Sequence, residues 1–546
     1  MKIALAQLNY HIGNFSGNLQ KMLTAVEEAK AQGAELVCFA ELATTGYPPR
    51  DFLEFDDFVR MAEEAVEALA HAAQGIAIVV GSPSRNPAPE GKDLYNSAFF
   101  LEEGRVKAVQ HKALLPTYDI FDEYRYFEPA SRWQVVEYKG YRIALTICED
   151  IWNIGNENPL YTRCPLDELM PQQPDLVLNI SASPFDYTHA AERIRILKAN
   201  VARYGLPIFY VNHVGAQTEI IFDGGSMVAS PNGHIYDEMP YFQEGVRVYE
   251  LEKVKQGSQQ HEQPKDKIPL IHDALITGIR NYFHKLGFQD AIVGLSGGLD
   301  SAVTAVLAAE ALGHKHVRTV LMPSQFSSEG SVTDARQLAR NLGVQYDLLP
   351  IEPIYQQFLK TLEAQFWATP FNVAEENLQA RIRGTLLMAL SNKYGPILLN
   401  TTNKSEMAVG YGTLYGDLCG GLSIIGDVYK TEVYELAHYI NERLGPLIPK
   451  AIIEKPPSAE LRPHQRDTDR LPPYEQLDPI LYQYIERQQG PAEIIAMGYD
   501  EQLVHRILRL VNINEFKRHQ TAPVLRVSPK AFGMGRRMPI VAKYLS

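Results

Sequence analysis

The segment over residues 291–301 constrains the fold more than any other part of the 546-residue chain. Its sequence, Ala-Ile-Val-Gly-Leu-Ser-Gly-Gly-Leu-Asp-Ser, is an apolar strand followed by a glycine-rich turn, and residues 302–309 continue it as an apolar helix. Gly297 and Gly298 let the backbone approach an anion, and the start of a helix offers unpaired N–H groups and a positive dipole end. The segment therefore predicts a phosphate-binding loop between a strand and a helix.

Two features of this loop indicate ATP together with a divalent cation. Ser296 and Ser301 add hydroxyl donors, whereas Asp300 repels a bare phosphate unless a cation lies between them. The sequence lacks the Lys followed by Ser or Thr that ends a Walker loop, and an ordinary glycine turn is the alternative. The loop resembles that of the N-type ATP pyrophosphatases, which implies that ATP is bound by Gly294, Leu295, Ser296, Gly297, Gly298, Leu299, Asp300 and Ser301.

Two further segments distinguish among the enzymes that share this loop. Residues 375–384 (EENLQARIRG) and 400–417 (NTTNKSEMAVGYGTLYGD) resemble the two signature segments of the NAD+ synthetases. The resemblance implies that Thr401 contacts ATP. It implies that deamido-NAD+ is contacted by Asn377, Glu406 and Lys517. It also makes Asp300 and Glu406 the candidate ligands of Mg2+, because that ion prefers carboxylate oxygens.

Length and composition limit the architecture and the classes of partner. The chain is long enough for two domains of about 250 residues each, and 45% hydrophobic with 21% charged residues is typical of a globular protein. No run approaches the ~20 apolar residues that span a bilayer, which favours a cytoplasmic protein without a membrane partner. The four cysteines lack the spacing of a zinc site. The net charge of −13 argues against nucleic acid as a general partner.

The order of predicted elements indicates two α/β domains. Residues 1–250 predict a layered domain with apolar strands at 3–7, 36–40, 76–81, 98–101, 142–146, 176–180, 208–211 and 226–229. Residues 251–267 are polar and predict a linker. Residues 268–546 predict a doubly wound parallel sheet with the ATP loop after its first strand. Residues 456–474, rich in proline and charge, predict either a mobile loop over a site or a simple linker.

Three polar residues of the first domain each follow a predicted strand. Glu41, Lys112 and Cys148 span about 110 positions, but strand ends meet at one edge of a layered α/β fold. A thiol needs a base or a neighbouring cation to act as a nucleophile. Glu41 can take the proton, and Lys112 can stabilise a thiolate or an oxyanion. The three residues together predict amide hydrolysis, whereas Cys148 alone is more typical of a buried core thiol.

The first 250 residues resemble the nitrilase superfamily, whose members place a Glu-Lys-Cys triad on an αββα sandwich. The resemblance implies that Glu123 is the second glutamate, which orients the site. Nitrilase-like domains fused to NAD+ synthetase act as glutaminases, so the resemblance also implies that glutamine is held by Tyr118, Ser183 and His189. His189 departs from the basic residue expected there, and an ordinary surface histidine is the alternative.

Together, the two halves resemble the glutamine-dependent NAD+ synthetases over essentially the whole chain. The resemblance implies a carbon–nitrogen ligase that amidates deamido-NAD+ to NAD+, using ATP, Mg2+ and ammonia channelled from glutamine. It also implies a homo-oligomer with dimeric synthetase domains. Lys430 is expected either to stabilise departing pyrophosphate or to form a salt bridge. Two alternatives stay open: an ATP-dependent amidotransferase for a different carboxylate, and a chain in which one half has become a scaffold or sensor.

Overall fold

The computed structural model describes residues 1–154, 160–257 and 260–545 of the chain. It divides into two compact units, Met1–Lys265 and Asp266–Ser546. None of the described helices combines the length and the apolar surface that crossing a lipid bilayer requires.

Strands dominate the first unit. In chain order, β1 to β14 span Lys2–Gln7, Leu36–Cys38, Ala77–Arg85, Leu94–Glu102, Arg105–His111, Val136–Tyr138, Tyr141–Ile147, Leu176–Ile180, Ile208–Val211, Val214–Gln217, Ile220–Asp223, Met227–Ala229, Ile235–Glu238 and Gly245–Glu250. The helices α1 to α5 span Phe15–Ala31, Asp56–Ala72, Pro165–Leu169, His189–Tyr204 and Leu251–Gln256.

Two six-stranded sheets pack face to face in this unit. One has the order β14-β1-β2-β3-β4-β5 and the other β13-β12-β9-β8-β7-β6, and β10 pairs with β11 in a separate ribbon. Because side chains alternate between the two faces of a strand, Leu5 and Leu145 meet in the core between the sheets, whereas Val37 packs outward against α1 and α2. Helices α3 and α4 cover the second sheet. The predicted αββα sandwich is confirmed.

The second unit alternates strands and helices. Strands β15 to β19 span Ala291–Gly294, Val317–Leu321, Gln345–Leu348, Ile397–Asn400 and Leu422–Ser423. Helices α6 to α17 span Lys267–Leu286, Leu299–Leu312, Glu329–Leu342, Glu352–Leu362, Val373–Tyr394, Lys404–Val409, Lys430–Leu444, Lys450–Glu454, Tyr474–Ile485, Pro491–Ala496, Glu501–Ile513 and Glu515–Arg518.

The sheet of the second unit has the order β17-β16-β15-β18-β19 among the described residues, and every neighbouring pair is parallel. The order reverses at β15, so β16 lies on one side of it and β18 on the other. In such sheets a crevice opens at the carboxyl ends of the strands where the order reverses, and ligands bind there. The doubly wound sheet predicted from the sequence is confirmed, and the glycine-rich loop leaves β15 at this crevice.

The segment 251–267 is predicted to be a linker, but its first six residues are helical in the structure. These six residues form α5, and Leu251 and Val254 are fully buried in the core between the two sheets. Two apolar side chains three positions apart are enough to hold one helical turn against a core, although they are too few to stand out in a polar segment. Residues 258 and 259 lie outside the described residues, and α6 begins at Lys267.

Candidate active sites

The first candidate site contains a buried lysine between two carboxylates. Lys112, directly after β5, donates from Nζ to Oε1 of Glu41 at 2.7 Å and to Oε1 of Glu123 at 2.8 Å. Asn96 donates to Glu41 at 2.7 Å, and the backbone N–H of Ala182 donates to the other Glu41 oxygen at 2.9 Å. All three charged side chains are buried. The structure therefore brings together three of the four predicted catalytic residues in a hydrogen-bonded group.

Cys148, the fourth, begins a 3₁₀ turn directly after β7 and is 5% exposed. Its φ angle is +42°, a conformation that costs free energy in a residue with a side chain and is concentrated at functional sites. Asp150 holds the turn, because its carboxylate accepts from Ile147 N–H and from the N–H groups of Ala113 and Leu114, all at 3.0 Å. One side chain thus fixes both the thiol turn and the backbone that follows Lys112.

Electrostatics keep the thiol neutral in the resting site. Burial raises the pKa of Cys148 well above its ordinary value, Glu41 raises it further, and Lys112 opposes both. Burial alone would lower the pKa of Lys112, but Glu123 and Glu41 raise it well above its ordinary value. The site can therefore release the thiol proton only to a nearby base, and Glu41 is among the charged groups that act on Cys148.

Close backbone packing positions Glu41. Gly81, in β3, lies so near that a Cβ atom there would come within 2.3 Å of Leu42 N and 2.6 Å of Glu41 Cα. Real Cβ atoms do not approach that closely, so only glycine allows the segment after β2 to cross β3 at this point. The placement of Glu41, the predicted base, thus depends on a residue in a neighbouring strand.

The three residues predicted to hold glutamine form two groups near the thiol turn. Tyr118 is 41% exposed, and its hydroxyl donates to both carboxylate oxygens of Glu149 at 3.0 and 3.1 Å. Ser183 Oγ lies 3.0 Å from His189 Nε2. The His189 ring stacks on Trp152 with a centroid distance of 5.0 Å. His189 is therefore built into the structure through Ser183 and Trp152.

Glu149 is a carboxylate that the sequence interpretation missed as a site residue. It follows Cys148 directly and is 5% exposed, and Tyr161 donates to its Oε1 at 3.1 Å in addition to Tyr118. Burial raises the pKa of Glu149 to about 7, while Lys112 and the two phenols lower it. The available signal was its adjacency to the cysteine within the segment Thr-Ile-Cys-Glu-Asp at 146–150.

The second candidate site is built on the glycine-rich loop between β15 and α7. Ser296 Oγ lies 3.1 Å from Ser301 Oγ and accepts from Gly298 N–H at 3.2 Å. Gly297 has a φ angle of +81°, and a Cβ atom there would lie 2.2 Å from the carbonyl oxygen of Ser331 in α8. The loop is therefore closed on itself by hydroxyl groups and pressed against a neighbouring helix where only glycine fits.

A cavity of about 400 Å³ opens beside this loop. The predicted ATP and dinucleotide residues that line it are Gly294, Leu295, Ser296, Gly298, Leu299, Asp300, Ser301, Asn377, Thr401, Glu406 and Lys517. Asn377 accepts from Thr413 Oγ1 at 2.9 Å. Lys517 donates to Gly410 O at 2.7 Å and to Gly412 O at 3.0 Å. The structure thus gathers residues from both signature segments and from the carboxyl-terminal region around one space.

Charged groups meet at the inner end of the cavity. Asp300 accepts from Asn403 Nδ2 at 3.1 Å and forms an ion pair with Lys430, which is 3% exposed at its side chain. Burial raises the pKa of Glu406 well above its ordinary value, Asp300 raises it further, and Lys430 opposes both. Two neighbouring carboxylates are a suitable donor pair for a cation. No cluster of three His, Cys, Asp or Glu residues suited to a metal occurs in the part of the chain described.

The proline-rich segment 456–474 lines the same cavity. Pro456, Glu460 and Asp467 face it, and Glu376 of α10 forms ion pairs with Arg462 at 3.5 Å and Arg470 at 2.9 Å. The segment therefore lies at the candidate site, as expected for a loop over a site, whereas its mobility stays a prediction.

Arg383 is a cavity residue that the sequence interpretation did not single out, although it belongs to the first signature segment. Arg383 donates from Nε to Met322 O at 2.9 Å, and burial lowers the pKa of its guanidinium to about 10. It adds a positive group to a space suited to phosphates.

Comparisons with known proteins match both units and the whole chain. The carbon-nitrogen hydrolase family model matches residues 2–257, and the NAD synthase model matches residues 271–521. A glutamine-dependent NAD(+) synthetase of Synechocystis sp. is 46% identical over 99% of each chain, and one of Acinetobacter baylyi is 42% identical over 99% of this chain and 98% of its own. The solved structure of glutamine-dependent NAD+ synthetase from Acinetobacter baumannii in complex with adenosine diphosphate is 39% identical, with a TM-score of 0.78 over 99% of this chain and 98% of that chain. The chain belongs to the family of glutamine-dependent NAD(+) synthetases.

Proposed function

We propose that this chain is a carbon–nitrogen ligase that converts deamido-NAD+ to NAD+ with ATP, taking its nitrogen from glutamine. The observation that carries the proposal is the presence, in one chain, of the buried Glu41–Lys112–Glu123 group near a thiol turn and of a glycine-rich loop at a 400 Å³ cavity. Relatives of the same family align with both over their whole length.

Glutamine hydrolysis takes place in the first unit. Glu41 takes the thiol proton of Cys148, and the sulfur attacks the amide carbon of glutamine. Lys112 and the N–H group after Cys148 stabilise the oxyanion, and one such donor is typically worth about 3 kcal/mol. The intermediate collapses as Glu41 returns the proton to the nitrogen, so ammonia leaves and a thioester remains. Water, deprotonated by Glu41, then attacks the thioester carbon, the carbon–sulfur bond breaks to release glutamate, and Glu41 returns the proton to the Cys148 sulfur.

Glu149 holds the α-ammonium group of glutamine in this scheme. A carboxylate offers about four acceptor positions, and the two hydroxyl hydrogens of Tyr118 and Tyr161 cannot fill them all. The acceptor capacity left over belongs to a buried carboxylate next to the nucleophile, where a cationic group is favoured. Ser183 and His189 hold the other end of the substrate. Their contact with each other places a hydroxyl and an imidazole side by side for a carboxylate.

The second unit activates the nicotinate carboxylate, whose oxygen is a poor leaving group. The carboxylate oxygen attacks the α-phosphorus of ATP and pyrophosphate departs, which leaves an adenylate. Ammonia then attacks the carbonyl carbon, AMP leaves with the oxygen, and the nitrogen loses a proton to give the amide. The loop N–H groups with Ser296 and Ser301 hold the phosphates, and Lys430 and Arg383 stabilise the charge of the departing pyrophosphate.

Mg2+ fits the donors beside the loop. Asp300 and Glu406 would supply two carboxylates, and the phosphate oxygens of ATP would complete the shell. When bound, the ion would neutralise phosphate charge. Lys430, already paired with Asp300, supplies a fixed positive charge in the same place.

Three parts of the proposal rest on the family resemblance. They are a channel that delivers ammonia between the units, a homo-oligomer with dimeric synthetase domains, and a location in the cytoplasm. A closed route has a physical reason, because ammonia released into water at neutral pH is mostly protonated, and ammonium has no lone pair with which to attack. Excluding water along the way would keep the proton off.

The test measures NAD+ formation from deamido-NAD+ and ATP, with glutamine or with ammonium chloride, for the wild type and for Cys148→Ala. The wild type is expected to use both nitrogen sources, and Cys148→Ala only ammonium. Cys164→Ala is the matched control, because its thiol contacts Tyr204 at 3.3 Å and it should behave like the wild type. No product from the wild type with either source would refute the dinucleotide as substrate and favour a different carboxylate.

A further inference from the structure

Tyr161 lies outside the residues that the family pattern assigns to glutamine, yet its hydroxyl contacts the carboxylate beside the nucleophile. We propose that Tyr161 is a positioning residue of the glutaminase site, holding the Glu149 carboxylate ionised and oriented for the α-ammonium group of the substrate. The inference rests on the proposed function of that site. It adds a residue that sets selectivity for an α-amino acid over a plain amide.

Side-chain contacts hold the backbone at Tyr161 and just after it. Asn153 donates from Nδ2 to the carbonyl oxygens of Tyr161 at 3.0 Å and Arg163 at 2.6 Å. The Arg163 guanidinium lies over the Trp133 ring, 4.4 Å from its centroid. Such anchoring lowers the entropy cost of holding a long side chain in one orientation. The phenol is therefore aimed at Glu149 before substrate arrives.

The two phenols are not equivalent. Tyr118 is 41% exposed and spreads its contact over both Glu149 oxygens, whereas Tyr161 contacts one oxygen from an anchored loop. Tyr118 can therefore shift to meet substrate while Tyr161 keeps the carboxylate in place. Without Tyr161, the Glu149 carboxylate keeps the hydrogen bond from Tyr118 but loses the hydrogen bond that fixes its orientation.

The charge of Glu149 depends on several neighbours. Lys112 and the phenols Tyr118 and Tyr161 favour the ionised form, and Glu123 disfavours it. Glu149 in turn raises the pKa of Cys148. Burial places the pKa of Glu149 at about 7, so losing one donor moves the carboxylate towards its neutral form at physiological pH. A neutral carboxyl binds an ammonium group poorly.

The experiment compares glutamine with glutaramate, which is glutamine without its α-amino group, as substrates for hydrolysis by the full chain. Tyr161→Phe keeps the ring and removes only the hydroxyl. Its kcat/KM for glutamine at pH 7 is expected to fall about tenfold, the typical effect of one hydrogen bond to a charged group. Its kcat/KM for glutaramate is expected to stay unchanged. Tyr204→Phe is the control, because that phenol contacts Cys164 and Asp167 instead.

The pH profile separates a positioning role from a merely structural one. The acid limb of kcat/KM for glutamine is expected to move to higher pH in Tyr161→Phe, so that activity recovers as the pH rises above 7 while the α-ammonium group of glutamine still carries its proton. The profile for glutaramate is expected not to move. Equal losses for both substrates, or an unmoved acid limb, would overturn the inference. Asn153→Ala, which frees the loop but keeps the phenol, should give a weaker form of the same selectivity loss and serves if Tyr161→Phe does not fold.

Failure of the proposed function gives a different result. A wild-type chain that hydrolyses neither substrate removes the glutaminase assignment and, with it, this inference. A wild type that prefers glutamine and a Tyr161→Phe variant that keeps the same preference overturn only the inference. NAD+ synthesis with ammonium chloride, measured on each variant, shows that the second unit is intact.

Discussion

Replacing Gly297 with alanine tests whether the glycine-rich loop works only while pressed against α8. The new Cβ atom would lie 2.2 Å from Ser331 O and 2.8 Å from the Ser331 carbonyl carbon. Ordinary contact begins at 3.4 Å, so the backbones must separate by about 1.2 Å. The φ angle of +81° adds roughly 1–2 kcal/mol of strain. A misplacement of about 1 Å typically costs 100-fold in rate.

The expected result is a fall of about 100-fold in kcat/KM for ATP in ammonium-supported NAD+ synthesis, with glutamine hydrolysis unchanged. Gly313→Ala is the matched control at the other end of α7. Its φ angle is +91°, but the nearest atom lies 4.0 Å from the new Cβ, so it should lower the melting temperature and keep ATP use. A Gly297→Ala variant with wild-type kcat/KM for ATP would refute the argument from close contact.

Two further changes probe charged groups of the second unit. Asp300→Asn should lower synthesis with either nitrogen source by about 100-fold or more, the effect of losing one preorganised charge, and should leave glutaminase turnover. His272 is a pH-dependent stabiliser: burial lowers its pKa, but hydrogen bonds to Asp273 and Glu310 raise it above the ordinary value. A raised pKa means that the stabilisation is present at low pH and is lost as pH rises through the folded-state value. His272→Gln should make the melting temperature depend less on pH. Each kcal/mol of stabilisation lost should lower the melting temperature by roughly 2–4 °C.

Each change has a control of the same chemistry. Asp290→Asn removes a carboxylate that bonds His316 at 2.9 Å and should retain synthesis, and a loss equal to that of Asp300→Asn would argue against a specific role for Asp300. His316→Gln removes a half-exposed ring. If it alters the melting profile between pH 6 and 9 as much as His272→Gln does, the contacts of His272 with Asp273 and Glu310 do not explain the pH dependence.

The sequence could predict the elements that end at functional residues. Apolar strands before Glu41 and Cys148 are present as β2 and β7, and the glycine loop does follow the first strand of a parallel sheet. These strands are buried on both faces, so their sequences are continuous apolar runs. Strand β5 was missed because Arg105, Val106 and Lys107 at its start are exposed, and its edge position demands little apolar character.

The partners within each site could not be predicted, because they depend on which strands become neighbours. Asn96 reaches Glu41 only because β4 pairs with β3. Tyr161 reaches Glu149 through a loop held by side-chain to backbone hydrogen bonds, which leave no periodic pattern in a sequence. The Leu251–Gln256 helix could not be predicted for a similar reason. Among its polar residues, only Leu251 and Val254 pack into the core, and that core is formed by residues far away in the sequence.

The raised pKa of the Cys148 thiol has a consequence for chemical damage in the cell. Peroxides and alkylating agents attack thiolates, and a buried cysteine that rests fully protonated presents almost none. In the proposed mechanism, the Cys148 thiol becomes reactive only when its proton passes to Glu41 during the reaction of bound glutamine. On that proposal, the electrostatics that raise the pKa of the thiol also make it a poor target for oxidants.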